Sequence, residues 1–205
     1  MIESYENALQ IAVLLVCVGI ALVRAIAGRS RTWTLLSFFY GSWALGDIFW
    51  TVCLIFFGET PQISLVADLS WYASYIFLYL LLRHVAPPTS PLAQRLLPWL
   101  GPVFTAGMAL FFMMRGEVFS NLIYAALMGL LLFSAIHRLV DGRRNIRQGF
   151  LCVLIIAFCL LEYGLWVSSC FWTDPEPLNP YYWFDLLLTV CFPFFLAATR
   201  RAVAS

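Results

Sequence analysis

Seven apolar runs, separated by short polar links, make up most of this 205-residue chain. A run of about 20 apolar residues matches the hydrocarbon core of a bilayer. No water is available there, so the backbone must satisfy its own hydrogen bonds, and a helix does so within one segment. Length and flanking charge place the runs at roughly 7–27, 33–57, 64–84, 96–114, 119–137, 150–170 and 181–199. The chain is 62% hydrophobic and 11% charged, against about a quarter charged in soluble domains. No hydrophilic block is long enough to fold alone in water, so residues 1–205 read as one transmembrane domain with the bilayer as its solvent. The opening MIESYENALQ is acidic rather than basic, so the first run is expected to be a retained helix, not a cleaved signal.

The polar links orient the chain. Arg24, Arg29, Arg31, Arg83, Arg95, Arg138, Arg143, Arg144, Arg147, Arg200 and Arg201 fall on one side, with Arg115 the exception. Glu3, Glu6, Glu59, Glu117, Asp174 and Glu176 fall on the other. The positive-inside rule then puts the N-terminus outside and the C-terminus inside. Tyr5, Trp33, Trp99, Trp172, Tyr181, Tyr182 and Trp183 lie near span ends, where aromatic side chains anchor at the interface.

The two ends of the chain repeat one another. Asn7, Arg24, Gly28 and Arg29 match Asn121, Arg138, Gly142 and Arg143 at an offset of 114. Asp47 matches Glu162 at 115, Trp50 matches Trp166 at 116, and Asp68 and Arg83 match Asp185 and Arg200 at 117. Repeat one covers about 5–86 and repeat two about 119–203, with helix 96–114 as an inverting linker. The expected fold is therefore all-α integral membrane: seven transmembrane helices, N-out and C-in, in a 3+1+3 parallel internal repeat.

Charges inside the runs carry the chemistry. A charge at the bilayer centre costs at least about 2.5–3.5 kcal/mol, so membrane carboxylates are functional candidates by default. Asp47 and Glu162 are expected near the midplane. Asp68 and Asp185 are expected about one turn below the outer surface, in the first turns of helices three and seven. Tyr40, Trp43, Asp47, Trp50 and Leu54 share one helix face at spacings of three and four. Asp68, Tyr72, Tyr75 and Tyr79 do the same, as do Cys159, Glu162, Trp166 and Ser169, and Asp185, Thr189 and Phe192. The candidate ligand-binding residues are Asp47, Trp50, Asp68, Tyr72, Tyr75, Glu162, Trp166 and Asp185. Such a lining suits a proton, a cation, or an amine- or hydroxyl-bearing ligand. The bland alternatives are dipole-stabilised carboxylates at helix starts for Asp68 and Asp185, a neutral carboxyl bonded across helices for Asp47 and Glu162, and simple core packing for the aromatic stripes.

Other chemistries are poorly served. The chain has no lysine, which excludes an opsin-type Schiff base. Cys17, Cys53, Cys152, Cys159, Cys170 and Cys191 form no CxxC pair and read as small apolar fillers, with a Cys53–Cys170 disulfide as the alternative. His84 and His137 sit at predicted inner helix ends. No HExxH or nucleophile–base pair is present, so no catalytic residue, metal or cofactor is assigned and an enzyme is not expected. The expected partners are the lipid bilayer, a small-molecule or cation ligand, and a cytoplasmic signalling protein at the inner Arg-rich loops, with no nucleic acid.

One pattern resembles a known family. GSWALGDIFW, a short loop containing Pro61, and VADLSWYASYIFLYLLL resemble the N-terminal membrane region of bacterial signalling proteins. Those regions are multi-pass sensor modules joined to diguanylate cyclase or histidine kinase domains. Gly46, Asp47, Trp50, Pro61, Ala67 and Asp68 carry the match, and NPYYWFDLLL with Asp185 is similar to the second half. The resemblance implies a sensor in the bacterial cytoplasmic membrane. In that family a catalytic domain follows the last helix, whereas this sequence runs six residues past Thr199; taken as a whole protein, it is expected to be a stand-alone sensor acting through a partner, or a module put to another use. The 3+1+3 layout is also similar to SWEET and PQ-loop transporters, but here Pro61-Gln62 lies in an outer loop and helices one and five contain no proline. A small-solute or cation transporter, with substrate between the two triplets, is the alternative.

Overall fold

The computed structural model describes residues 2–57, 65–87, 96–115, 117–141, 146–172, 176 and 178–203. These form seven α-helices: α1 (Ile2–Gly28), α2 (Arg31–Phe57), α3 (Leu65–Val85), α4 (Leu100–Phe112), α5 (Val118–Val140), α6 (Ile146–Phe171) and α7 (Pro180–Val203). A 3-10 turn, Leu97–Trp99, leads into α4. Each expected run coincides with one helix. Five of them, α1, α2, α5, α6 and α7, are long and apolar enough to cross a membrane, and the architecture is that of a helical multi-pass membrane protein. α4 is shorter, at 13 residues. Pro61-Gln62, Arg95, Gly142, Arg143 and Arg144 lie outside the described residues, so the Arg-rich loop expected to meet a partner is only partly described.

Local chemistry sets the boundaries. α1 ends with Arg29 at φ 46°, and Ser30 N donates to Ala25 O at 3.1 Å. This is the six-to-one bond of a Schellman stop, made here with arginine in the left-handed position that glycine usually takes. The next helix starts at once, with Thr34 N donating to Ser30 O at 3.0 Å. Pro180 opens α7, where its missing N–H costs nothing. Asn179 is the cap, its Oδ1 accepting from Tyr181 N at 2.9 Å. Asn121 Nδ2 donates to Phe112 O at 3.2 Å and so closes the end of α4.

The helices form a ring in the order α1, α2, α3, α5, α6, α7, with α7 returning to α1. α4 stands outside this ring against α5. Gly101 makes that approach possible, because a Cβ there would stand 2.7 Å from Leu132 Cβ and 2.9 Å from the Phe133 backbone nitrogen.

The centre of the ring is filled by aromatic side chains. Phe39, Phe158, Phe192 and Phe195 are fully buried. Phe39 lies 6.0 Å from Phe158 and 5.3 Å from Phe195 between ring centroids, edge to face. Trp43 covers this plug, 5.1 Å from Phe158 and 5.4 Å from Phe192. Tyr40 OH reaches across to donate to Phe192 O at 2.7 Å. Such edge-to-face pairs suit the quadrupoles of the rings, and they leave the axis of the ring closed.

Beyond the plug, at the end where α3 and α5 finish, arginines bind the helices together. Arg138, 2% exposed, donates from Nε to Ala86 O and from Nη1 to Ser134 O at 2.9 Å. Gln148 Nε2 donates to Val85 O at 3.2 Å. The last carbonyls of α3 are thus met by side chains of α5 and α6. Arg24 lies over the Trp33 ring at 4.6 Å, and Arg201 over Phe150 at 5.4 Å. All six cysteines are free thiols, so the alternative of a Cys53–Cys170 bridge is not realised.

Candidate functional site

On the other side of the plug is a cavity of about 370 Å³. It sits at the end of the ring that carries the starts of α1, α3, α5 and α7. All four membrane carboxylates line it, each from a different helix: Asp47 from α2, Asp68 from α3, Glu162 from α6 and Asp185 from α7. They are 7%, 7%, 3% and 6% exposed. Asp47 and Glu162 stand nine or ten residues from the ends of α2 and α6, about 15 Å along a helix axis at 1.5 Å per residue. Asp68 lies in the first turn of α3. Asp185 does not lie in the first turn of α7 as expected, because the helix opens at Pro180 and is capped by Asn179. A side-chain partner on α1 holds it instead.

Three neighbours satisfy part of this acidity. Gln10 Nε2 donates to Asp185 Oδ1 at 3.0 Å and to Thr189 Oγ1 at 3.1 Å, linking α1 to α7. Tyr124 OH donates to Asp68 Oδ1 at 3.1 Å, linking α5 to α3. Trp71 Nε1 donates to Asp47 Oδ1 at 3.1 Å, linking α3 to α2. Gly46 admits that indole, since a Cβ would stand 2.6 Å from Trp71 Nε1. The Tyr75 hydroxyl faces the Glu162 carboxyl without closing a hydrogen bond of ordinary geometry.

Part of the polarity is left unmet. Among the described residues, Asp47 Oδ2, Glu162 Oε1, Tyr75 OH and Asn7 Nδ2 are buried with no hydrogen-bond partner, and all four residues line the cavity. An unmet buried polar group costs about 1–3 kcal/mol, so four around one space call for an explanation. Among the described residues, no arginine or histidine lines the space. Its aromatic walls come from Trp43, Trp50, Trp71, Trp166, Tyr75, Tyr124 and Tyr181. Trp50 lies 6.0 Å from Trp71, and Trp166 lies 4.7 Å from Tyr124.

Seven of the eight candidate residues therefore border one space: Asp47, Trp50, Asp68, Tyr75, Glu162, Trp166 and Asp185. Tyr72 does not. Its hydroxyl meets Ser120 Oγ at 2.6 Å and its ring stands edge-on to Tyr124 at 4.7 Å. It braces Tyr124 from behind because its helix face turns toward α5 rather than the cavity. Tyr40 and Phe192, on the same expected stripes, belong to the plug. Gln10, Trp71 and Tyr124 were not singled out from the sequence. Gln10 and Tyr124 are themselves separated by 114, so extending the repeat register would have found that pair; Trp71 has no such signal.

Among the described residues, no three His, Cys, Asp or Glu side chains stand close enough to share one metal ion. Comparison of the chain with protein-family models, with curated proteins and with solved structures returns no match.

Proposed function

We propose that this chain is a sensory membrane module that binds a small molecule in the carboxylate- and aromatic-lined cavity. In this reading the N-terminus is outside, the cavity opens outward, and the arginine-rich end faces the cytoplasm of a bacterial cell. The observation that carries it is the convergence of Asp47, Glu162 and Tyr75, each with an unmet polar atom, on one space. A protein that only needed packing there would gain nothing by leaving those groups unbonded. The aromatic plug borders the cavity on the side away from the helix starts, which a sensor with a one-sided site requires. A bound ligand touches α1, α2, α3, α5, α6 and α7 at once and so can bias how the two triplets meet at the cytoplasmic end. The resemblance to sensor regions of signalling proteins points the same way.

A 3+1+3 repeat is supported by paired features. α1 neighbours α7 as α5 neighbours α3. The bonds Gln10 to Asp185 and Tyr124 to Asp68 occupy equivalent positions in the two triplets. That pseudo-symmetry favours the second reading, a small-solute or cation transporter, because repeat transporters bind substrate between their halves.

The test is thermal shift of the detergent-purified protein across a panel of cations, amines, sugars and neutral alcohols, with Asp47→Asn and Glu162→Gln alongside. A compound that stabilises the wild type and neither variant supports a binding site. A variant pair that responds like the wild type to every active compound removes it. Flux of that compound into proteoliposomes then separates the readings: none is expected of a sensor, and saturable uptake would establish transport.

A further inference from the structure

We infer that the ligand is a small organic amine, bound as its ammonium ion between Asp47 and Glu162. This rests on the cavity being a binding site, as proposed above, and names the chemistry it takes.

The sign of the site comes first. Four carboxyl groups line about 370 Å³ with no cationic side chain among the lining residues. An anion would meet only like charge, and interactions in a space of low dielectric are strong. The unmet atoms then set the geometry. Asp47 Oδ2 and Glu162 Oε1 are buried carboxyl oxygens without partners, and the unpaired Tyr75 hydroxyl can accept as well as donate. An ammonium group carries up to three N–H donors and can meet all three, while the fourth unmet atom, Asn7 Nδ2, is a donor left to the carboxyl side of the site. A carboxylate bonded to a charged donor makes the stronger class of hydrogen bond. Tyr75 is 1% exposed and carries no charge of its own, and its hydroxyl, though it faces the Glu162 carboxyl, closes no hydrogen bond of ordinary geometry, so a neutral polar group joins the carboxyl oxygens in the unmet set.

The walls narrow the class further. Trp43, Trp50, Trp71 and Trp166 border the same space, and indole faces attract organic cations. A bare divalent ion fits poorly, because among the described residues no three acidic side chains come together to ligate it. A neutral polyol would leave the carboxylates without a counter-charge. The cavity is of small-ligand size.

The test uses the full chain in detergent, read by intrinsic tryptophan fluorescence and by thermal shift. The probes are phenethylamine, putrescine and tetramethylammonium, with phenethyl alcohol as the neutral isostere, and glucose and calcium chloride as the other classes. Saturable response to phenethylamine or putrescine is expected, with phenethyl alcohol at least about tenfold weaker. Asp47→Asn and Glu162→Gln are each expected to weaken amine binding at least about tenfold, whereas Glu176→Gln, at an exposed position outside the cavity, leaves it unchanged. Equal binding of amine and alcohol, or a response to glucose or calcium alone, overturns the amine assignment while leaving the binding site in place. No response to any amine also overturns it. The comparison of amine with alcohol needs only the wild type, so it decides even where a variant fails to fold.

Discussion

Alanine at position 46 should damage both the packing and the chemistry of the cavity. Its Cβ would stand 2.6 Å from Trp71 Nε1 and 2.9 Å from Cδ1, against about 3.5–4.0 Å for ordinary contact. The indole must retreat by about 1 Å to reach that separation. Its N–H donates to Asp47 Oδ1 at 3.1 Å, and such a retreat takes that bond out of range. Overpacking costs about 1–3 kcal/mol, and a buried acceptor left unmet about 1–3 kcal/mol. Alanine's better helix propensity offsets about 1 kcal/mol. The net loss is about 1–5 kcal/mol, or a fall in Tm of about 3–15 °C at about 3 °C per kcal/mol for a chain of this length. Unfolding of Gly46→Ala, Trp71→Phe and the double variant in mixed detergent measures it. The smaller phenyl ring relieves the clash and has no N–H to lose, so the double variant should be less impaired than the sum of the singles by at least about 1 kcal/mol. A loss below about 0.5 kcal/mol for Gly46→Ala, or strict additivity, would refute the reasoning.

Gln10→Leu and Tyr124→Phe each remove one donor from a buried aspartate and should each cost about 1–3 kcal/mol; because they share no partner, their effects should add when measured by the same unfolding assay. Arg29→Gly relieves a non-glycine residue at φ 46° and should stabilise by about 1 kcal/mol, seen as a higher Tm. Gly101→Ala meets backbone as well as side chain on α5, so α4 must shift at a cost of about 2–3 kcal/mol. Any response of the cavity to phenethylamine should weaken less than about tenfold, because α4 lines no part of the cavity and reaches it through Phe112, which packs on Trp166 and accepts from Asn121.

Much of the cavity was legible along single helices. Asp47 with Trp50, and Glu162 with Trp166, share faces at helical spacing, and those faces do turn to the same space. The repeat register marked Asn7 and Asn121, and both line it. Tyr72 shows where this reading stops. It shares the spacing of Asp68 and Tyr75, yet its hydroxyl is taken by Ser120 of the neighbouring helix. A helical face spans a wide arc, and periodicity does not say which part of it meets a cavity and which meets a helix. Asp185 failed for a different reason. The helix start was expected at 181 and lies at Pro180, so Asp185 falls in the second turn on either boundary, and the bond from Gln10 that holds it there crosses to another helix.

What the amino-acid order determined alone is the set of long apolar helices, their ends, and the rarity of charge within them. Those follow from local free energies: backbone groups removed from water must bond within their own segment, and each added apolar side chain favours that removal. What only the tertiary structure decided is that four acids on four helices share one space, that an aromatic plug closes it below, and that Gln10 meets Asp185 across 175 residues. Such contacts depend on how the ring closes, α7 on α1 and α5 on α3. That closure is set by the fit of whole helix surfaces, which no local spacing records.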